Sequence, residues 1–273
     1  MQTTEKKGTL VLIGGAEDKQ NAKIVLKKVW ELNHAQHIVI IPTASRYGVE
    51  LGNEYKKIFH AFGCPNPHVL DINVRGDVDK PEHIDLASQA DLIFFTGGDQ
   101  VKLVEVLNYS VLMNIIKHRY KNAGATIAGT SAGSAAASNP LIYDGDDFGF
   151  HKGAVKQGEG FGLLPDITVD THFMERNRIP RLLQALASGI SHKGMGVSED
   201  TAAFIYPNHK LEVIGAGALV LINTTDMNFT NYHLIKQNEF IVTNNVRISF
   251  LVQGSMFDLN NWDIITDRSE LHK

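Results

Sequence analysis

A single cysteine, Cys64, in 273 residues leaves no intramolecular disulfide and no thiolate metal cluster. Apolar runs stop at strand length, too short to span a bilayer. Met1 to Gly8 is polar and lysine-bearing with no apolar core segment after it, so it does not read as a signal peptide. Both G-x-G-x-x-G and G-x-x-x-x-G-K-[ST] are missing, which removes the dinucleotide and P-loop fingerprints. H-E-x-x-H and any Cys/His ligand set are missing too, and the expectation is a protein without metal or cofactor. A large excess of one sign is lacking: 26 Lys and Arg against 30 Asp and Glu give a net −4, which makes no electrostatic case for nucleic acid or an anionic membrane surface. By default the expected location is cytoplasmic.

What remains is an ordinary globular composition, 43% hydrophobic and 21% charged. The length suits one large α/β domain over residues 1–273, with no linker or composition break to mark a second. Leu10–Ile13, His37–Ile41, Val69–Ile72, Leu92–Phe95 and Thr126–Ala128 read as buried strands. Asp18–Leu32 and Glu50–Phe62 read as helices, and Val101–Tyr120 as two short helices broken near Asn108. This rhythm predicts a doubly wound, mostly parallel sheet, with a site beyond the carboxyl ends of its strands. Further along, Asp166–Phe173 and Gly194–Val197 read as core strands, with a helix over Arg176–Leu186 between them. Ala202–Tyr206 and Leu211–Ile214 form a hairpin, and Leu219–Asn223, His233–Ile235 and Ile248–Val252 extend an antiparallel C-terminal region.

Gly129-Thr130-Ser131-Ala132-Gly133 runs from an apolar strand into Gly-x-Ser-x-Gly and on into Ala135-Ala136-Ala137. A serine on such a turn projects from the backbone, and the helix start directs N–H groups and a positive dipole end to the same spot. Many α/β proteins carry that turn with the serine as a plain N-cap. Two more glycine turns project to the same sheet edge. Gly14-Gly15-Ala16-Glu17-Asp18 reads first as a tight turn with Asp18 capping a helix. Gly97-Gly98-Asp99-Gln100 follows the strand expected beside that of Ser131, so Gly98 and the Ala132 N–H form a candidate oxyanion hole.

Of twelve histidines, His34, His60, His118, His192 and His272 lie in polar or helix-surface settings and His209 in a turn. His172 ends a strand at the Ser131 edge and is the leading base. Ser198-Glu199-Asp200 closes another strand and offers an orienting carboxylate, with Glu199 and Asp200 inseparable on these grounds. Asp144-Gly145-Asp146-Asp147 is a rival source, but it reads first as a solvated loop and lacks an EF-hand pattern. Arg176, Arg178 and Arg181 fall within little more than one helical turn, where guanidinium groups can bind carboxylates bidentately.

Five segments in order resemble the cyanophycinase branch of the cyanophycinase/peptidase E family of serine peptidases. They are Leu12–Lys19, Phe95–Gln100, Gly129–Ser134, Asp170–Phe173 with the three arginines, and Gly196–Ala202. The resemblance implies a flavodoxin-like, glutamine-amidotransferase-like core and usually a homodimer. It implies Ser131 as nucleophile, His172 as base and Glu199 as acid. It also implies cleavage of cyanophycin, a poly-aspartate with arginine joined through each β-carboxyl, into β-Asp-Arg dipeptides. The free carboxylate on each arginine branch would suit Arg176, Arg178 and Arg181, and the guanidinium would suit Asp170, with Gln100 and Thr171 in the same cleft. One departure stands out: cyanophycin-cleaving members commonly have Asp-Gln-His where this chain has Asp170-Thr171-His172. The competing expectations are a peptidase E-like exopeptidase or dipeptidase on short acidic or isoaspartyl peptides, and a non-catalytic binding protein on the same fold. An α/β-hydrolase esterase also carries G-x-S-x-G, but there the acid precedes the histidine; here the best acid follows it.

Overall fold

The computed structural model describes residues 6–146, 149–267, 269 and 271; Met1 to Glu5, Asp147 of the acidic cluster and His272 lie outside them. The chain opens with β1 (Leu10–Ile13), β2 (His37–Ile41), β3 (Asn66–Val69), β4 (Leu92–Phe95) and β5 (Thr126–Thr130). They pair in the order β1-β5-β4-β2-β3, all parallel. The connections carry α1 (Ile24–Glu31), α2 (Gly48–Phe62), α3 (Pro81–Gln89), α4 (Gln100–Leu107) and α5 (Val111–Asn122). Alternation along each strand feeds two cores. Leu10, Leu12, Val39, Ile41, Ile93 and Phe95 join one buried cluster, while Val11, Ile13, Ile38, Ile40, Leu92 and Phe94 join the other.

Helix α6 (Ala132–Ala137) follows β5, then β6 (Ser138–Asn139), the hairpin strands β7 (Leu141–Gly145) and β8 (Val155–Gly158), and β9 (Leu164–Pro165). Next come β10 (Ile167–Thr171), α7 (Ile179–Ala187) and β11 (Lys193–Val197). The chain returns to the first sheet with β12 (Thr201–Ile205) and β13 (Lys210–Gly215), leaves it for β14 (Leu219–Asn223) and β15 (Arg247–Leu251), and ends on it with β16 (Met256–Asp258) and β17 (Asp263–Ile265). Among the described residues the first sheet therefore has nine strands, with β12, β13, β16 and β17 forming an antiparallel extension beside β1. A second sheet has the order β10-β11-β14-β15. No helix among the described residues is long and apolar enough to cross a membrane.

The fold is the α/β class expected, with a parallel core and an antiparallel extension, but several local expectations need correction. The strands expected at Asp166–Phe173 and Gly194–Val197 belong to the second sheet, not the first. Helix α1 starts at Ile24 rather than Asp18 because the Asp18 carboxylate accepts the N–H groups of Gln20, Asn21 and Lys23 and curls them into a loop. Asp18 caps this loop and not the helix. Helix α7 starts at Ile179 rather than Arg176, with Pro180 in its first turn. Helix α3 has only His83 and Ala87 buried, too sparse an apolar stripe to register in the sequence. Strand β3 precedes the expected Val69–Ile72, and His233–Ile235 is a turn in which Leu234 and Ile235 N–H both donate to the Asn231 carbonyl.

Candidate active site

The site lies where the two sheets meet. Strand β5 of the first sheet ends at Thr130 and presents Ser131; β10 of the second ends at Thr171 and presents His172. The link from β11 to β12, residues 198–200, crosses between the sheets and presents Glu199. Ser131 is held at φ 50° and ψ −109°, a conformation unfavourable for a residue with a Cβ. Its N–H donates to the Ile13 carbonyl at 3.0 Å, and its own carbonyl accepts the Ala135 N–H at 3.0 Å. Ser131 occupies the N-cap position of α6, yet its hydroxyl caps nothing. Its Oγ lies 2.8 Å from His172 Nε2 instead, and His172 Nδ1 lies 2.7 Å from Glu199 Oε1.

The two neighbouring carboxylates part company here. Asp200, at φ 45°, turns its Oδ1 to the Asp18 N–H at 2.9 Å. Asp144 on β7 pairs with Lys156 at 2.8 Å, and that hydrogen bond, with the Gly145 N–H, holds its carboxyl below the ordinary range. The Glu199 N–H donates to Glu175 Oε2 at 3.1 Å.

The Gly14-Gly15 turn, read first as a plain tight turn, contacts every arm of this arrangement. Gly14 O accepts the His172 N–H, Gly15 O accepts the Asp200 N–H and Gly14 N–H donates to Thr201 O, each at 2.9 Å. Gly15 sits at φ 102° against the imidazole, and a Cβ there would fall 2.4 Å from His172 Cε1. Glu17 of the same turn is buried and accepts the hydroxyls of Tyr55 and of Thr130, the latter at 2.5 Å, tying the turn to the residue before Ser131. Burial, then Glu17, push the Tyr55 phenol well above its usual pKa, so it stays a donor. Ser134 Oγ accepts the Ile13 N–H at 2.8 Å and lies 2.6 Å from the Gly129 carbonyl, fastening α6 to β1. Nothing in the sequence marks Glu17 or Tyr55 as partners, because they meet only through the fold; the one available signal was a glutamate inside a glycine turn at the Ser131 edge.

A cleft of about 330 Å³ opens above Ser131. Gly98 and Ala132 line it with the serine. Gly98 has φ 142° and no room for a Cβ, which would fall 2.2 Å from the Ala44 carbonyl. Gln100 also lines the cleft and fastens its far wall, donating from Nε2 to the Tyr143 carbonyl at 3.1 Å. Thr171 is buried, with its carbonyl accepting Arg178 Nη1 at 2.8 Å.

All three arginines line the cleft with His172, but only Arg181 lies within the helix expected to carry them. Arg176 lies in the turn before α7, Arg178 at its N-cap position and Arg181 in its first turn. Asp170, expected to face a substrate guanidinium, instead faces two of this chain's own. Its Oδ1 is 3.2 Å from Arg178 Nη1 and its Oδ2 is 3.1 Å from Arg181 Nε, all three side chains being buried. Arg176 is exposed and has no ion-pair partner among the described residues. Three arginines against the carboxylates of Asp170 and Asp144, the latter paired with Lys156, leave the cleft lining net positive. Among the described residues no group of three or more His, Cys, Asp or Glu could hold a metal ion.

A serine bonded to a histidine that is itself bonded to a carboxylate, at the carboxyl edge of an open α/β sheet, is the arrangement of a serine hydrolase. The chain belongs to peptidase family S51, whose pattern matches residues 10–214, and is a serine-type peptidase. It is 32% identical over 255 residues to a cyanophycinase of Geminocystis herdmanii, covering 92% of this chain and 94% of that one. It is 34% identical over 263 residues to a cyanophycinase of Trichormus variabilis, covering 95% and 88%. A crystal structure of a peptidase from an acI-B1 Actinobacterium shares the fold, with TM-score 0.71 and 21% identity over 94% of this chain and 99% of that one.

Proposed function

We propose that the protein hydrolyses the poly-aspartate backbone of cyanophycin to β-Asp-Arg dipeptides through an acyl-enzyme. The observation that carries this reading is the Ser131–His172–Glu199 relay, at 2.8 and 2.7 Å, set beside an arginine-lined wall of one cleft. Ser131 Oγ attacks the scissile carbonyl as His172 Nε2 takes its proton; Glu199 holds the Nδ1–H tautomer and stabilises the imidazolium. Gly98 and Ala132 N–H groups donate to the oxyanion. His172 then returns the proton to the leaving backbone amine, and a water deprotonated by His172 releases the acyl group from Ser131.

On the substrate side the arginine-branch carboxylate binds the cationic wall. Arg176 is the available cation, while Arg178 and Arg181, paired with Asp170, shape the wall behind it. Gln100 and Thr171 frame the same space. The reading includes a cytoplasmic homodimer, for which sedimentation and cell fractionation are the tests.

Purified protein incubated with cyanophycin and, separately, with β-Asp-Arg tests the activity directly. Dipeptide from the polymer, with β-Asp-Arg left intact, is the expected result. Free aspartate and arginine from the dipeptide, without attack on the polymer, would transfer the assignment to a peptidase E-like dipeptidase.

A further inference from the structure

Beside the Ser131 cleft lies a second hollow of about 330 Å³ to which the mechanism gives no task. Tyr143 lines both. Its ring lies against Gly158 of β8, where a Cβ would come within 3.3 Å of Cδ1, so this aromatic edge is the partition between the two spaces. Helix α4 turns Gln100 to the cleft, while Val101, Val104 and Glu105, three and four residues apart, share the other hollow. With Leu141, the valines give it an apolar floor; Glu105 and Glu159 stand at its edge.

The two spaces differ in their balance of charge. The cleft has Arg176, Arg178 and Arg181 against the carboxylates of Asp144 and Asp170, and the adjoining hollow has two exposed carboxylates and, among the described residues, no cation in its lining. Glu105 has no cation at salt-bridge distance among the described residues. Glu159 accepts the Tyr109 hydroxyl, and Lys117 of α5 feels its charge without pairing with it. An apolar floor with carboxylates at its edge and an aromatic wall suits one side chain above others. That side chain has a methylene stem ending in a planar guanidinium, which lays the stem on apolar surface and carries its charge to the edge.

We propose that this hollow is a remote subsite for the arginine side chain of a repeat unit beyond the two joined by the scissile bond, held by Glu105 and Glu159 with its stem on Val101, Val104 and Tyr143. The proposal rests on the cyanophycin reading above. It adds that the protein recognises the polymer, and not only the unit at Ser131. A chain whose every branch carries both a carboxylate and a guanidinium is complementary to a positive cleft continuous with a negative hollow.

The experiment compares kcat/KM on cyanophycin with kcat/KM on the shortest β-Asp-Arg oligomer that is cleaved, in wild type, Glu105→Gln, Glu105→Lys and Glu159→Gln. The ratio of the two cancels any change in the fraction of folded protein. It should fall about threefold in each glutamine variant and about tenfold in Glu105→Lys, through KM on the polymer, as for the loss and reversal of an exposed charge partner. A ratio within about twofold of wild type in all three variants overturns the subsite. Failure of wild type to cleave the polymer, with cleavage of short acidic peptides intact, overturns the cyanophycin reading itself and the subsite with it.

Discussion

Ser131 and Arg176 open onto the same cleft, but their surroundings are built by opposite means. Around Ser131 the chain is fixed by backbone bonds at unfavourable φ values: 50° at Ser131, 49° at His172 and 45° at Asp200. Each is locked by hydrogen bonds to Ile13, Gly14 or Gly15. Around Arg176 the turn is closed by its N–H to the His172 carbonyl, but the side chains are fixed ionically and one layer back, in Asp170 with Arg178 and Arg181, while Arg176 itself stands exposed. The first region tolerates little displacement, since a relay of two hydrogen bonds must stay aligned. The second needs only the correct sign of charge at its surface, supported by buried pairs that oppose one another's repulsion. Position is therefore a matter of backbone on one side and of charge balance on the other, and substitutions should separate the two.

Among the substitutions that set the two regions apart, the largest expected effect falls on the ionic side and on stability. Asp170→Asn leaves Arg178 and Arg181 without their shared carboxylate and should cost about 3–5 kcal/mol in urea unfolding. A loss below about 1 kcal/mol would mean that other groups carry the balance. Next comes the backbone side: Gly15→Ala drives a methyl into the His172 ring and should lower kcat about 100-fold with little change in KM. An unchanged kcat would show that the ring has room to move.

Arg176→Ala should do the reverse of Gly15→Ala, raising KM on the polymer about tenfold with kcat nearly kept. The same comparison on polymer whose arginine carboxylates are amidated sharpens it, because the difference between wild type and variant should vanish there. If it persists, Arg176 is not reading a carboxylate.

The smallest effect concerns Asp18, whose carboxyl is held down at about 2 by the N–H groups of Asn21, Lys23 and Gln20. A depressed carboxyl stabilises the fold above its ordinary value, about 3.9, and that contribution fades as pH falls through its folded value. Asp18→Ala should therefore be less stable than wild type near neutral pH, with the gap closing between about pH 4 and pH 2. A gap that stays constant with pH would assign the effect to shape rather than charge.

Much of the parallel core was legible because its strands are continuous apolar runs; Leu10–Ile13, His37–Ile41 and Leu92–Phe95 stand where the pattern puts them. Helix starts were not, because they turned on single local bonds, such as those of Asp18, that hydrophobic period does not register. Residues 129–134, 172 and 198–200 stood out singly as candidates, but their meeting depends on β10 and β11 forming a second sheet, which nothing in their apolar pattern distinguishes from more strands of the first. Asp170 shows the limit most clearly. The guanidinium of the substrate implied by the resemblance suggested it as a substrate contact, and only packing reveals that the start of α7 brings two arginines onto it.

The account stands on covalent catalysis by Ser131, and intact-protein mass spectrometry during turnover measures that most directly. Protein mixed with cyanophycin and quenched in acid within the first turnovers should carry a cyanophycin-derived acyl group that maps to Ser131. Ser131→Ala should carry none and should turn over about 10⁴–10⁶-fold more slowly at unchanged stability. Release of β-Asp-Arg by Ser131→Ala at a rate near that of wild type, with no adduct on either protein, would contradict the account.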